Sequence, residues 1–425
     1  MDWSTLPDVG AVALLTLAFG SVARRGLTPG TRLWLIGWLM ICLHFAAFLF
    51  DSLPGAWGTL ASTIGLNALA WAGILFMWAC VPYRRQASSR WMLALLLAAY
   101  TLYISLVNTV PHAVWALTTA AVLIGAAPLT IALIGLRRGF SHPLRWTLAI
   151  LNGALMVFLL VVQQRSPNGA DLAFDAVIFT IYFGCSLHFW YGFRRATAGA
   201  FVTIAGFAGW AAVFVVGPLM AAYFPEVHVQ SEVWNLPKYV VAVGMILLLL
   251  EQQVDHNKYL ALHDELTGLP NRRLYHDRMA SALERARRNG TRAALLLIDL
   301  DRFKEVNDTV GHHIGDLLLQ RVSSLFLGRV RRSDTVARTG GDEFCIILEE
   351  PTSRTDAERV GESLIRLLEE PLQVEDHTVA VGASVGIAVY PDDADSAEAL
   401  RIAADRSMYA DKNISRGRMA EPAPE

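Results

Sequence analysis

The stretch "VARTGGDEFCIIL", Val336 to Leu348, decides how the second half of this chain folds. Two glycines, Gly340 and Gly341, allow a tight backbone turn. Two acids, Asp342 and Glu343, follow at once, and Phe344 to Leu348 is an apolar run of strand length. The pattern predicts a β-hairpin over 334–349 with adjacent carboxylates at its tip. Upstream, "AALLLIDLD" (293–301) reads as a buried strand that ends in acids, Asp299 and Asp301. If the two strands are neighbours, Asp299 and Asp342 converge at one edge of a sheet. Each signal alone is weak, since a Gly-Gly turn followed by an acid is a common hairpin tip.

Around this hairpin the periodicity supplies the other elements. Asn271 opens a helix that ends near Gly290. Further helices are expected over 314–331, 355–370 and 396–413, with two short strands, one within "ASVGIAVY", before the last. Helices and strands interleaved in this way predict an α+β domain, a mainly antiparallel sheet packed by helices. The final residues, 419–425 ("MAEPAPE" from 419), are expected to form a disordered tail.

The first half is of another kind. Residues 1–250 carry 13 Lys or Arg and 7 Asp or Glu, whereas 251–425 carry 23 and 31. All 12 Trp lie before residue 251. Mean hydropathy is +0.39 for the whole chain, an average over two unlike halves. Apolar runs near 5–23, 33–50, 58–81, 91–109, 113–136, 145–163, 172–193, 199–223 and 236–251 suit crossing of a bilayer, which takes about 20 residues each. That makes nine spans in an all-α polytopic membrane domain over 1–250, a sensory or input region. Arg24, Arg25, Arg32, Arg84, Arg85, Arg90, Arg137, Arg138, Arg145, Arg194 and Arg195 fall on alternate loops, against Arg165 and Lys238 opposite. The basic side is cytoplasmic by the positive-inside rule, so the N-terminus lies outside and the chain emerges inside after residue 251. No basic stretch precedes the first run, so it is expected to be retained rather than cleaved. A net charge of −2 gives no support to nucleic-acid binding. Cys42, Cys80, Cys185 and Cys345 are scattered without metal-ligand spacing or a disulfide framework.

Polar residues inside spans are costly. His44, His188, Asn67 and Asn152 therefore either hydrogen-bond between helices, the commoner outcome, or line a ligand site. Trp34, Trp57, Trp91, Trp115, Trp146 and Trp234 sit near span ends, where interfacial anchoring suits them. After the last span, Leu247, Leu250, Val254, Asn257 and Ala261 follow the 3-4 spacing of a coiled-coil seam. The stretch 251–263 is expected to be a helical stalk, single or in a short coiled coil.

"DELTGLPNRR" (264–273), "DLDRFKEVNDTVGHHIGD" (299–316) and "RTGGDEF" (338–344) occur in that order. Together they strongly resemble the GGDEF family of bacterial diguanylate cyclases, over about 260–420 and here taken as a domain at 264–418. The resemblance implies a palm-like nucleotidyl cyclase fold and the condensation of two GTP into cyclic di-GMP with release of two pyrophosphates. Carried over by position, Asp299 and Asp342 bind two Mg²⁺ per site, with Mn²⁺ an alternative, and the carbonyl of Leu300 assists. Glu343 helps activate the attacking 3′-hydroxyl or holds metal. The turn at Arg302, Phe303 and Lys304 offers N–H groups to phosphates. Asn307 and Asp316 read guanine, and Lys412 and Arg416 hold the triphosphate. The family glycine between the last-helix lysine and arginine is replaced here by Ser415 in "DKNISRGR".

Arg331 and Asp334 in "RRSD" stand at the family's RxxD spacing, which implies an inhibitory site for cyclic di-GMP; the plain alternative is a surface ion pair. Asp301 and Asp308 fit loop solvation and turn chemistry, His312 and His313 shape the loop, and "DELTGLPNRR" couples the stalk to the catalytic body. The expectation is thus a homodimeric cyclase in the bacterial inner membrane, its lipid-embedded half multi-pass and its GGDEF domain cytoplasmic. Two alternatives stand beside it: a non-catalytic cyclic di-GMP receptor, and a transporter or sensor whose main business lies in the spans.

Overall fold

The structure, a computed structural model of the 425-residue chain, describes residues 6–24, 28–80, 87–137, 143–165, 169–193, 197–227, 229, 231–351 and 353–419. Arg25, Arg84, Arg85, Arg138, Arg194 and Arg195, which enter the charge asymmetry, lie outside the described residues, as does the expected tail from residue 420. The chain divides into two compact units, Met1–Val254 and Asp255–Glu425.

The first unit is helical throughout. Its helices are α1 (Leu6–Ala23), α2 (Pro29–Phe48), α3 (Ala56–Ala79), α4 (Ala87–Thr109), α5 (Val114–Arg137), α6 (Pro143–Arg165), α7 (Gly169–Gly192), α8 (Ala198–Tyr223) and α9 (Ser231–Leu262), the last continuing past Val254. Eight of them, among the described residues, are long and apolar enough to cross a bilayer, against the nine spans expected. Among the described residues α5, which contains Pro128, contributes a shorter apolar stretch, Val114–Thr130.

Polar groups inside the bundle are spent on neighbouring helices and on their own backbone. His44 Nδ1 lies 2.9 Å from the Gly65 carbonyl, Asn67 donates to Ser105 Oγ at 3.2 Å, and Tyr100 donates to Asn152 Oδ1 at 2.5 Å. His188 Nδ1 turns back on Gly184 O at 2.7 Å. The first three contacts join neighbouring helices, as expected for polar residues in spans, whereas His188 bonds within its own helix. Trp57, Trp91 and Trp115 are exposed, as anchoring requires, but Trp34 is not an edge residue: it is buried, 5.5 Å from the Phe189 ring and stacked on it. Gly199, Gly206 and Gly244 let α8 and α9 approach backbone to backbone, because a Cβ at each would collide with the other helix.

The second unit is the expected α+β domain. After the end of α9 come α10 (Arg272–Asn289), β1 (Ala293–Asp301), α11 (Phe303–Val310), α12 (His312–Arg329), β2 (Thr335–Gly340), β3 (Glu343–Glu349), α13 (Arg354–Glu369), β4 (Leu372–Val374), β5 (His377–Val379), β6 (Gly382–Tyr390) and α14 (Ala397–Met419). The four-stranded sheet has the order β2-β3-β1-β6, and each of these pairings is antiparallel; β4 and β5 form a separate small hairpin.

The period of two in β1 sorts its side chains between two cores. Ala294, Leu296, Ile298 and Leu300 join α12 and α13 on one face, while Leu295 and Leu297 join α10 and α14 on the other. Helix α10 starts where Asn271 caps Arg273 N and Leu274 N, worth about 1 kcal/mol, and stops at Gly290 in the left-handed region. Helix α11 was not expected: its residues read as a turn because only two turns of helix fit there. What holds it is Phe303, buried in the core, with Val306 and Val310 half-buried on the same side at i+3 and i+7.

Candidate active site

The register of the sheet assembles the acids. Asp299 in β1 stands opposite Glu343 in β3 on one side and Ser384 in β6 on the other. Directly opposed residues of an antiparallel sheet share a face. Glu343, Asp299 and Ser384 therefore form a row across the end of the sheet, on the side covered by α14. Asp342 belongs to the adjoining turn, whose carbonyl accepts from Leu300 N at 3.3 Å. The neighbouring strands that the sequence reading required are thus present, and the hairpin tip is stitched to the end of β1.

Helix α14 brings a cation to this row. Lys412 Nζ lies 2.8 Å from Asp299 Oδ1, with both side chains mostly covered, at 25% and 18% exposure. The helix can come this near because Gly386 in β6 has no side chain: a Cβ there would strike Ala404 O and Met408 N of α14. Arg416 lies on the same helix, and its side chain is outside the described residues.

A residue outside the motif holds the turn. Gly341 has φ +41, where a side chain is disfavoured. Arg338 Nε and Nη2 both donate to the Gly341 carbonyl, at 2.9 and 2.7 Å, while Nη1 donates to Asp264 Oδ1 at 2.9 Å. Burial pushes the Asp264 carboxyl up, but hydrogen bonds from Thr267 and from Arg338 outweigh it and hold the group below its ordinary value. "DELTGLPNRR" is thereby tied to the hairpin tip through one guanidinium.

On the other face, α11 begins within the expected turn, at Phe303. Arg302 takes φ 56, a left-handed conformation, and acts as N-cap with no side-chain cap bond. Phe303 points into the core, whereas Lys304 is exposed. The first-turn N–H groups of a helix have no intrahelical carbonyl to meet, so Phe303 and Lys304 open the helix with donors to spare. Asn307 packs over Gly315, where a Cβ would collide with its side-chain oxygen. That contact brings Asn307 beside Asp316, which is exposed at the start of α12. Asp308, His312 and His313 are exposed, with His313 Nε2 3.8 Å from Glu375.

Arg331 and Asp334 do not form the surface ion pair offered as the plain alternative. Asp334 Oδ2 instead accepts from the Arg331 backbone N at 2.9 Å, and Oδ1 from Glu349 N at 3.1 Å. The exposed Arg331 guanidinium makes no hydrogen bond or ion pair among the described residues. Beside Glu343 a cavity of about 180 Å³ opens between α10 and α14, with Cys345 in its lining. Burial pushes that thiol up to about 11, so it stays protonated at neutral pH.

The sequence reading thus named the acids, Asn307 with Asp316, and Lys412, but missed Arg338, Asp264, Ser384, Gly315 and Gly386. A glycine inside a strand does mark close backbone approach, so Gly386 was open to discovery. Nothing in the chain's pattern announces Ser384.

Residues 261–418 match the family model described as "Diguanylate cyclase, GGDEF domain". Over 159 residues the chain is 47% identical to the bifunctional diguanylate cyclase/cyclic di-GMP phosphodiesterase MucR of Pseudomonas aeruginosa, covering 37% of this chain and 23% of MucR. It is 43% identical over 164 residues to the diguanylate cyclase TpbB of the same organism, covering 38% of each. The crystal structure of the TpbB GGDEF domain is 41% identical, over 35% of this chain and 92% of that one, with a TM-score of 0.34. The chain spans 23% and 38% of the length of these two curated relatives. An antiparallel sheet with helices on both faces and acids gathered at one end makes the second unit a GGDEF domain. Residues 261–418 are therefore a GGDEF domain, similar to the one in the diguanylate cyclase TpbB.

Proposed function

We propose that this protein is a membrane-embedded diguanylate cyclase that joins two GTP into cyclic di-GMP and releases two pyrophosphates. The observation that carries this reading is the row of Glu343 and Asp299 at the sheet end, with Asp342 tied to it and Lys412 against Asp299. Asp299, the Leu300 carbonyl, Asp342 and Glu343 hold two Mg²⁺, or Mn²⁺ in their place. The donor set fits such ions, since all are hard oxygens and a positive charge already sits against Asp299. Among the described residues no group of three or more His, Cys, Asp and Glu closes around one point. The reading therefore requires phosphate oxygens to complete the shell of each ion, as Mg²⁺ commonly has them. Bound there, the ions polarise the α-phosphate and lower the pKa of the attacking 3′-hydroxyl.

The chain's own side chains position the reactants. Asn307 and Asp316 take the guanine edge; a carboxylate accepts from N1–H and the 2-amino group, a donor pair adenine lacks. Backbone N–H groups at Phe303 and Lys304 face the phosphates, and Lys412 with Arg416 offsets their charge. Glu343 takes the hydroxyl proton or helps hold metal as the O3′–P bond forms and the α–β P–O bond breaks. One domain carries one GTP, so a second copy must face it, and positioning supplies much of the catalysis.

The first unit is read as a multi-pass region of the bacterial inner membrane, with the N-terminus outside and the GGDEF domain in the cytoplasm. Its long apolar helices support crossing, and the basic alternate loops support the orientation. Cyclic di-GMP bound at Arg331 and Asp334 closes a product-inhibition loop.

The test uses the purified full chain in detergent with GTP and Mg²⁺. Cyclic di-GMP from the parent and none from Asp342→Ala is the expected result. A parent silent with both Mg²⁺ and Mn²⁺, or an Asp342→Ala variant as active as the parent, overturns the reading.

A further inference from the structure

The acids of "DLD" at the end of β1 have unlike surroundings. Asp299 and Asp301 point to the same face, two residues apart. Asp299 faces Lys412. Asp301 instead accepts from Ser384 Oγ at 2.9 Å, and Ser384 is fully buried in β6. By register, Ser384 is opposite Asp299 and Gly382 is opposite Asp301, so the serine reaches diagonally along the sheet to the second acid. A Cβ at Gly382 would press on the Asp301 carboxylate. Asp301 is therefore hemmed in between a hydroxyl donor and a bare strand backbone, half-buried.

The next residue is Arg302, one of three non-glycine residues with positive φ among those described. The other two, Glu350 and Glu375, follow strands β3 and β4 in solvent-facing turns. Arg302 alone lies at the site. A side chain in this region persists only where the surroundings over-determine it. Its turn aims the spare N–H groups of Phe303 and Lys304, and Asp301 is the last residue before it held by β6.

We infer that Ser384 and Asp301 are positioning residues for nucleotide binding: the buried serine anchors Asp301, and that anchor holds the left-handed turn whose N–H groups receive the phosphates. The inference rests on the cyclase reading above. It also explains how two acids so close divide their work. Asp301 is spent on Ser384, which leaves Asp299 for cations.

The experiment compares full-length parent, Ser384→Ala, Asp301→Ala and Asp301→Asn for GTP turnover, and for binding of a non-hydrolysable GTP analogue by calorimetry. Ser384→Ala and Asp301→Ala should each weaken analogue binding and raise KM by about tenfold or more, the scale of a hydrogen bond to a charged group, with kcat little changed. Asp301→Asn keeps an acceptor for the serine, so it should bind and turn over GTP nearly as the parent does. Unaltered analogue affinity in Asp301→Ala overturns the inference. So does an Asp301→Asn variant that loses turnover as fully as Asp299→Asn, because Asp301 would then be a direct ligand. Should Ser384→Ala fail to fold, the half-exposed Asp301 variants still decide. A parent that makes no cyclic di-GMP defeats the cyclase reading instead, while the analogue-binding comparison still reports on the anchor.

Discussion

At the scale of single residues, the site depends on groups that do no chemistry. Arg338 spends three donors on two partners, and two of them converge on the carbonyl of Gly341, next to Asp342. Removing them frees the turn that carries Asp342 and Glu343. Arg338→Ala should lower kcat by about tenfold or more, from the loss of charge-assisted hydrogen bonds. Arg338→Lys should rescue little, since an ammonium cannot span both partners as the planar fork does; steady-state turnover checks both. Its partner Asp264 makes this link pH-dependent. With its carboxyl held below the ordinary value in the folded state, its contribution is fully present above the unfolded pKa of about 3.9 and is lost as pH falls through the folded one. The gap in thermal midpoint between parent and Asp264→Asn should therefore be constant above about pH 5 and close below about pH 4. At the RxxD pair, Asp334 has both oxygens committed to the hairpin backbone, so replacing it confuses folding with binding. Arg331 is free of such duties. Arg331→Ala should leave initial rates near those of the parent and relieve inhibition by added cyclic di-GMP; unchanged inhibition would remove that site.

Elements carry the geometry that residues use, and here the sequence was unevenly legible. Helix α10 was readable because its ends are chemical: Asn271 caps one and Gly290 takes the left-handed region at the other. The order of acids, glycines and apolar runs made a pairing of β1 with β3 the condition for joining "DLD" to the Gly-Gly turn, and the sheet has that pairing. Helix α11 escaped because two turns carry little periodicity, and its support comes from a core assembled from distant segments. The seat of α14 escaped for a related reason. Lys412 can reach Asp299 because β6 presents Gly386 to the helix, a fact about contact between residues 18 or more positions apart. Gly386→Ala should therefore push α14 off the sheet, costing about 1–3 kcal/mol as overpacking does. It should also lower GTP turnover more than a surface change on α14 such as Arg406→Ala. Thermal unfolding and initial rates together check this, and an active, fully stable Gly386→Ala would show that the lysine is not set by that contact.

For the molecule as a whole, the element that matters most is α9, the helix that begins at Ser231 and ends at Leu262. Its first turns carry charge into the bundle. Tyr239 and Asn235 both donate to Asp8 of α1, at 3.0 and 2.7 Å. Lys238, buried, donates to Asn235 Oδ1 and lies 4.2 Å from the centroid of the Phe45 ring. The sequence showed a lysine and an aspartate near opposite ends of the unit but not that α1 and α9 touch, because helix packing order is not written in hydropathy. Inside an apolar medium this network is asymmetric. Removing the carboxylate leaves Lys238 its bond to Asn235 and its place over Phe45 but no nearby countercharge, whereas removing the ammonium leaves a part-exposed carboxylate that still accepts from Asn235 and Tyr239. Asp8→Ala should thus lower the thermal midpoint of the detergent-solubilised protein more than Lys238→Met, with the first costing about 1–2 kcal/mol. If the network also fixes where α9 starts, and if the exposed Leu250 and Val254 face of that helix meets a second copy, both variants should change cyclic di-GMP production at constant GTP. Equal midpoints and equal output in both variants would reduce the Asp8 network to a passive contact.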